Sequence, residues 1–296
     1  MKRRLRMRRV ITILLLASVW YAVWHENFSF CKNAEEIEQK PKLDVPYEPT
    51  SYGIAKAMLS MAKVTSKDLV YDLGCGDGRI VIMAAKERKA RGIGVDIDPE
   101  RIKESHENAK TAGVSNLVRF VEQDLFTTDV SRATVMMLYL WPEVNLKLRP
   151  KLLQDLKPGT RIVSHSHTMG TWKADATRRV ENHNLYLFVV PANVTGNWLW
   201  TGLDKEPTRL RFTQSFQEAQ GMLSGEEKEA FLKCTLKGTA ISCSGEKMEN
   251  DKMGSLLFEG RVSGDIIKGK IKYSARGHAK TVKAKRDAST MVSIAE

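Results

Sequence analysis

An α/β fold built on a mostly parallel sheet is what this sequence predicts, with an antiparallel β-meander domain behind it and an N-terminal membrane anchor in front. Between residues 47 and 191, apolar runs of strand length alternate with segments of helical period, the pattern of repeated strand-helix-strand units. Within residues 69–80 an apolar run ends in Asp72 and passes through Gly74, Gly76 and Gly78 into a new helical periodicity. Beyond Pro191 the period drops to two between glycine-marked turns, which reads as an antiparallel meander.

The chain divides into four parts on composition. Residues 1–30 hold a basic segment and the anchor. Residues 2–9 carry six Lys/Arg and no acid, and 10–24 are apolar, closed by Trp20, Tyr21 and Trp24. That run falls short of the roughly 20 residues of a typical spanning helix, but the aromatic end extends its reach. A cleaved secretory signal has the same charged and apolar regions. No small-x-small cleavage site follows the run, so an uncleaved single anchor is expected, in a mitochondrial or a bacterial inner membrane alike. Residues 31–46 are polar and contain Pro41 and Pro46, as a linker should. Residues 47–191 form the α/β domain and 192–296 the small β domain.

In the α/β domain, a proline-rich stretch, Val45-Pro46-Tyr47-Glu48-Pro49-Thr50, precedes an apolar-periodic helix over about 51–63. Strands follow at 69–73 and 92–97, then a helix opened by Asp98-Pro99, a cap residue and a proline at the first helical position. Gly113 closes that helix. Further strands are expected at 117–121, 133–140, 161–166 and 185–190, with a helix over about 143–156 whose middle Pro150 disturbs.

The glycine turn identifies a ligand site, because glycine is needed where the backbone takes positive φ or a ligand must approach without a Cβ in the way. A dinucleotide fingerprint requires glycine at the first, third and sixth positions. Counting from Gly74, the sixth position is Arg79, so that class is excluded. Two more acids fall at the ends of the next strands, Asp96 after the second and Asp124 after the third. An acid in the position of Asp96 can accept both ribose hydroxyls of a nucleoside.

The acid-x-Gly-x-Gly-x-Gly motif resembles the first motif of the class I, seven-strand S-adenosylmethionine (SAM) methyltransferases. With residues 45–50, 71–81, 139–143, 149–153 and 158–165 read together, residues 45–191 look like bacterial members of that class. They are more distantly similar to the lysine methyltransferases of the mitochondrial ATP synthase c-subunit. The resemblance implies a seven-strand Rossmann-like sheet, SAM as cofactor, and Asp72, Gly74, Gly76, Gly78, Asp96 and Asp124 as its binding residues. Asp124 would meet the exocyclic amine of adenine, and the segment carrying Tyr47 would close over the cofactor. A protein lysine is the acceptor the resemblance implies.

Many amino-group methyltransferases carry Asn/Asp-Pro-Pro-Tyr after strand four, where this chain has Tyr139-Leu140-Trp141-Pro142-Glu143. Tyr139 and Trp141 can line a lysine channel through cation–π contacts, with Glu143 orienting the amine. The plainer alternative is core aromatics and a helix-starting acid. A quinone or lipid acceptor, or a SAM-binding module without transfer activity, are the rival functions. His165 and His167 are expected on one face of a strand. With no third ligand in sight no metal is expected, and either imidazole is a candidate base.

The net charge of +12 is concentrated at the two ends: residues 261–286 hold nine Lys/Arg against Asp265 alone, leaving the rest at −2 once 2–9 are also set aside. A near-neutral core argues against gripping a nucleic acid. Lys268, Lys270 and Lys272 on one strand face can meet lipid head groups or an acidic partner, or simply be solvated. Cys234 and Cys243 can meet across a hairpin or stay unpaired.

Overall fold

The computed structural model describes residues 47–202, 206–224, 229–249, 252–273 and 279–294; the basic segment, the expected anchor and the linker lie outside the described residues. Among the described residues no helix is long and apolar enough to cross a membrane.

The α/β part runs α1 (Tyr52–Met61), β1 (Leu69–Leu73), α2 (Arg79–Arg88), β2 (Arg91–Asp96), α3 (Pro99–Thr111), β3 (Val118–Glu122), β4 (Val135–Leu138), α4 (Pro142–Asp155), β5 (Arg161–His165), β6 (Ala176–Val180) and β7 (His183–Val189). Local chemistry sets these boundaries. Ser51 caps α1 by accepting from the Ile54 N–H at 3.1 Å, and Asp98 caps α3 by accepting from Glu100 N–H at 2.8 Å, with Pro99 at its first position. Pro150 sits inside α4 on its exposed face, where water can satisfy the carbonyl deprived of a donor.

The strands form a seven-stranded sheet in the order β3-β2-β1-β4-β5-β7-β6, with β7 antiparallel to both its neighbours. Burial explains the strand compositions. β1 (LVYDL) and β4 (VMML) are buried at every position, as strands covered on both faces must be. One face packs Ile54, Met58, Ile80, Val81 and Ala84 of α1 and α2; the other packs Leu148 and Leu152 of α4 with Trp172 and Phe188. Within this sheet, β6 is the strand that sequence reading missed. Its ATRRV is exposed at four positions and half-buried at the last, so no apolar alternation marks it; the edge is held by its ladder to β7. The order reverses between β1 and β4, and ligands of open α/β sheets bind beyond the strand ends at such a switch point.

The C-terminal part is more than an open meander. Strands β8 (Gly196–Thr201), β9 (Thr208–Ser215), β10 (Glu218–Ser224), β11 (Glu229–Lys237), β12 (Ala240–Glu249), β13 (Lys252–Ser263), β14 (Ile266–Tyr273) and β15 (Ala279–Arg286) pair in succession, and β15 pairs back onto β8 to close a barrel. Closure removes the unpaired edges that an open sheet would expose. The interior is filled rather than hollow: Trp200 meets Phe258 at 4.9 Å between ring centroids, and Phe212, Leu232 and Ile271 are buried with them. Cys234 and Cys243 stand directly opposite in the β11–β12 ladder and form a disulfide facing this interior, which resolves the choice that their spacing left open.

The barrel is docked on the sheet through an inserted turn carrying Phe216 and through the β11–β12 turn at Gly238, which lies against Gly159. Phe216, between β9 and β10, is 5 % exposed and joins the core of the α/β part, its ring stacked on Trp172 at 5.8 Å and lying under the Arg149 guanidinium at 5.2 Å. Around it, Gln217 Nε2 donates to the Lys173 carbonyl at 2.8 Å, and Ala192 N–H donates to the Gly238 carbonyl at 2.8 Å.

Candidate active site

The three glycines of the β1–α2 turn all have left-handed φ, +75°, +52° and +78° for Gly74, Gly76 and Gly78, which explains why no other residue suits them. Their roles differ. Gly74 lines a cavity at the strand ends. Gly76 lies beneath Tyr47, whose ring would stand 2.3 Å from any Cβ added there. Gly78 starts α2, and an added Cβ would meet Phe120 at 2.6 Å and Ser105 at 2.9 Å, so it serves helix packing.

The cavity spans about 1120 Å³ including its open mouth, and Asp72, Asp96 and Asp124 all line it. Asp72 is the penultimate residue of β1 and is 3 % exposed. Burial, then the Asp96 and Asp77 carboxylates, hold its pKa well above the usual carboxylate range. Such a group gains by meeting a cation. The two oxygens of Asp96 accept from Gly76 N–H at 2.8 Å and Asp98 N–H at 3.0 Å. A carboxylate has about four acceptor sites, so capacity remains for two ribose hydroxyls. Asp124 Oδ1 accepts from Phe126 N–H at 2.8 Å, leaving its second oxygen for an exocyclic amine. An ammonium beside Asp72, a diol on Asp96 and an amine on Asp124 fit a sulfonium nucleoside amino acid.

The segment preceding α1 closes over this turn. Arg79 grips the Asp77 carboxylate through Nε (2.9 and 3.1 Å) and Nη2 (2.6 Å), while its Nη1 donates to the Thr50 carbonyl at 3.0 Å. Tyr47 lies across Gly76 with the Arg101 guanidinium 4.8 Å from its ring centre.

The far end of the cavity, past β4, is lined by Glu48, Tyr139, Trp141 and His167. Tyr139 stacks on His165 at 3.9 Å, and its pKa is pushed up to about 12 by burial and then by its hydrogen bond to Glu48. The phenol therefore stays protonated and donates to that carboxylate. Trp141 is 51 % exposed at the mouth. Glu143 stands elsewhere: it is exposed in the first turn of α4 and does not line the cavity. Glu48 was missed on sequence because nothing local marks it; only the fold brings it to Tyr139.

The histidines also depart from expectation. β5 ends at His165, and Ser166 takes φ +63°, so His165 and His167 do not share a strand face. His165 is 2 % exposed, with Nδ1 at 3.2 Å from Thr50 Oγ1. Burial, then His183 and His167, lower its pKa to about 4, so it is neutral at physiological pH and outside the cavity lining. Among the described residues no group of three or more His, Cys, Asp or Glu could hold a metal ion.

Known proteins match this site. Residues 72–176 fit the model of the ANTKMT methyltransferase domain. A protein-lysine N-methyltransferase of Saccharolobus islandicus is 44 % identical over 151 residues, covering 49 % of this chain and 94 % of its own length. The lysine N-methyltransferase of the ATP synthase c-subunit from Xenopus laevis is 31 % identical over 134 residues, 45 % of this chain. The chain spans only 58 % of that vertebrate relative. Among solved structures, an RNA methyltransferase from Salinibacter ruber in complex with S-adenosyl-L-homocysteine is 48 % identical, covers 50 % of this chain and 96 % of that one, and superposes with a TM-score of 0.49. The archaeal relative is matched over nearly its whole length at 44 % identity: the chain belongs to the SAM-dependent methyltransferases of this protein-lysine N-methyltransferase family.

Proposed function

We propose that this enzyme methylates the ε-amino group of a lysine in a protein substrate. The observation carrying this reading is the carboxylate-phenol pair, Glu48 with Tyr139, set beside Trp141 in the same cavity as the cofactor acids. A carboxylate and an indole face suit an alkylammonium, and a quinone would have no use for the carboxylate. The names of the archaeal and vertebrate relatives support the same acceptor.

Bound SAM supplies a methyl group on a positively charged sulfur. The protein must then position an amine with a free electron pair in line with it. A lysine ammonium has a pKa near 10.4, so one proton has to leave before nitrogen can attack. Glu48 accepts a hydrogen bond from the amine and so directs its remaining lone pair; Tyr139, held protonated, fixes Glu48. Trp141 at the mouth keeps the methylene stem and excludes water. The proton lost from the lysine ammonium passes to water; the transfer that bound SAM would supply replaces a carbon–sulfur bond by a carbon–nitrogen bond with the electron pair left on sulfur, and the methylated product keeps its two N–H protons as an ammonium. The N-terminal anchor belongs to the proposal too, and would hold this chemistry at a membrane.

Incubating the full chain and labelled SAM with membrane extract, then separating protein, lipid and RNA, tests the acceptor. Label is expected on lysine in the protein fraction. Label in lipid would instead favour the small-acceptor reading, and SAM binding with no label in any fraction a binding module. Glu48→Gln should lower kcat/KM for the protein substrate about tenfold, the loss of one charge-assisted hydrogen bond of about 1.5 kcal/mol, while calorimetry finds SAM affinity within twofold of wild type. Full activity in that variant would remove Glu48 from the mechanism.

A further inference from the structure

The outer face of the barrel carries a pattern that methyl transfer does not use. In the ladders of β11 to β15, Lys237 pairs with Ala240, Ala240 with Arg261, Arg261 with Lys268, and Lys268 with Lys283. Four cations thus stand in one cross-strand row, three of them on adjacent strands. All four are exposed. Like charges directly opposite one another destabilise a sheet. The row is relieved only at its end, where Lys237 faces the Asp175 carboxylate of the α/β part; among the described residues Lys268 and Lys283 make no ion pair, and Arg261 donates to Thr239 Oγ1 at 3.4 Å. Glu259 is the acid in the adjoining row, opposite Lys270. On the other side, Ile266 pairs with Lys285. Arg261, Lys268 and Lys283, with Glu259 at one edge, border an open depression floored by Gly260, Ser263 and Ile266.

We propose that this cationic row is a docking surface for the phosphate head groups of an anionic lipid bilayer. Arg261, Lys268 and Lys283, in register on adjacent strands without an ion pair among the described residues, are the complement of a plane of fixed negative charge, and each basic side chain near such a plane adds to its attraction. Apolar side chains interleave with the charges: Leu257, 54 % exposed, lies opposite Lys272, and Leu199, 46 % exposed, lies opposite Lys285. Lysine stems and leucines suit the boundary between head groups and acyl chains. A single-stranded nucleic acid would call for aromatic platforms beside the cations; the described outward residues of β13 to β15 offer aliphatic ones, and the exposed aromatic Phe231 lies at the far end of β11 from Lys237. The N-terminal sequence, six cations followed by an apolar run, puts a membrane signal in the same chain.

The test compares full-length wild type with Lys268→Gln/Lys283→Gln, which share the N-terminal segment, on vesicles of phosphatidylcholine alone and of phosphatidylcholine with phosphatidylglycerol. Partitioning onto anionic vesicles should fall roughly 25-fold, about fivefold per cation, with partitioning onto neutral vesicles and SAM affinity unchanged. Lys268→Arg/Lys283→Arg should bind as wild type does. Relief of repulsion should leave Tm equal or higher, so misfolding cannot account for the loss. Equal partitioning of wild type and the Gln variant overturns the proposal. So does displacement from anionic vesicles by inorganic phosphate at constant ionic strength, which marks a free-anion site, or tighter retention on RNA.

Discussion

Replacing Asp72 by Asn should cost this enzyme its cofactor while making the free protein more heat-stable. Asp72, the penultimate residue of β1, lies fully inside the fold, with Asp96 and Asp77 raising its pKa further after burial has done so. Losing one partner of a buried charge pair costs at least 2 kcal/mol and commonly about 3 kcal/mol, so SAM affinity should drop roughly 150-fold and turnover with it. The stability effect has the opposite sign. A carboxyl whose folded pKa lies above its unfolded pKa binds more protons in the native state between those two values. Stability then falls as pH rises from the unfolded pKa, near 4, toward the raised folded pKa. Asn carries no charge to desolvate, so the variant should keep its Tm over the pH range in which wild type loses it. Calorimetric titration with SAM and melting curves from pH 4 to neutral, with and without SAM, measure both. Wild-type affinity in the Asn variant would refute the cofactor assignment at its centre.

Phe216→Ala should be the most damaging substitution far from the cavity. The side chain leaves the barrel to fill the α/β core against Trp172, so truncation opens a void on the sheet side and loosens the docking of the barrel. Removing a buried Phe typically costs 3–5 kcal/mol; at about 3 kcal/mol, a protein of this size should melt roughly 6–12 °C lower. Its φ of +52° gives a useful control. Phe216→Gly deletes the same ring but relieves the left-handed backbone, so it should be less destabilised than the Ala variant. Both proteins should still bind SAM, since none of the cofactor acids touches this contact. An unchanged Tm in the Ala variant would mean that the barrel is not secured by this ring.

How much of this was legible in the chain depended on whether the determinant was local. Strand β1, its glycine turn and the cap of α3 were readable because each is set by neighbours in sequence: a run of apolar residues, three positions that require positive φ, an Asp-Pro pair. Asp96 and Asp124 were readable for a related reason, since an acid directly after an apolar strand must fall on the same sheet rim as Asp72. β6 escaped because an exposed edge strand has no inward face to impose alternation. In the barrel, β8 escaped because the exposed Leu199 between buried Trp198 and Trp200 breaks the apolar-polar alternation, and β10 because Gly221 interrupts its pattern. Reading Glu143 as the amine-orienting acid placed the role near Tyr139 in sequence, whereas the acid that shares the cavity with Tyr139 is Glu48, from the segment preceding α1.

The sequence by itself determined the buried strands of the α/β sheet, the ligand turn and the row of acids along one rim, because these follow from backbone geometry and from which side chains avoid water. Only the tertiary structure decided that Thr50 and His165, 115 residues apart, share a hydrogen bond, that Glu48 reaches Tyr139, that β15 closes on β8, and that a turn of the barrel plugs the core of the sheet. Those contacts join segments whose separation leaves no trace in local pattern. Each is selected by the burial and pairing that it completes, and that selection is made only when the whole chain has packed.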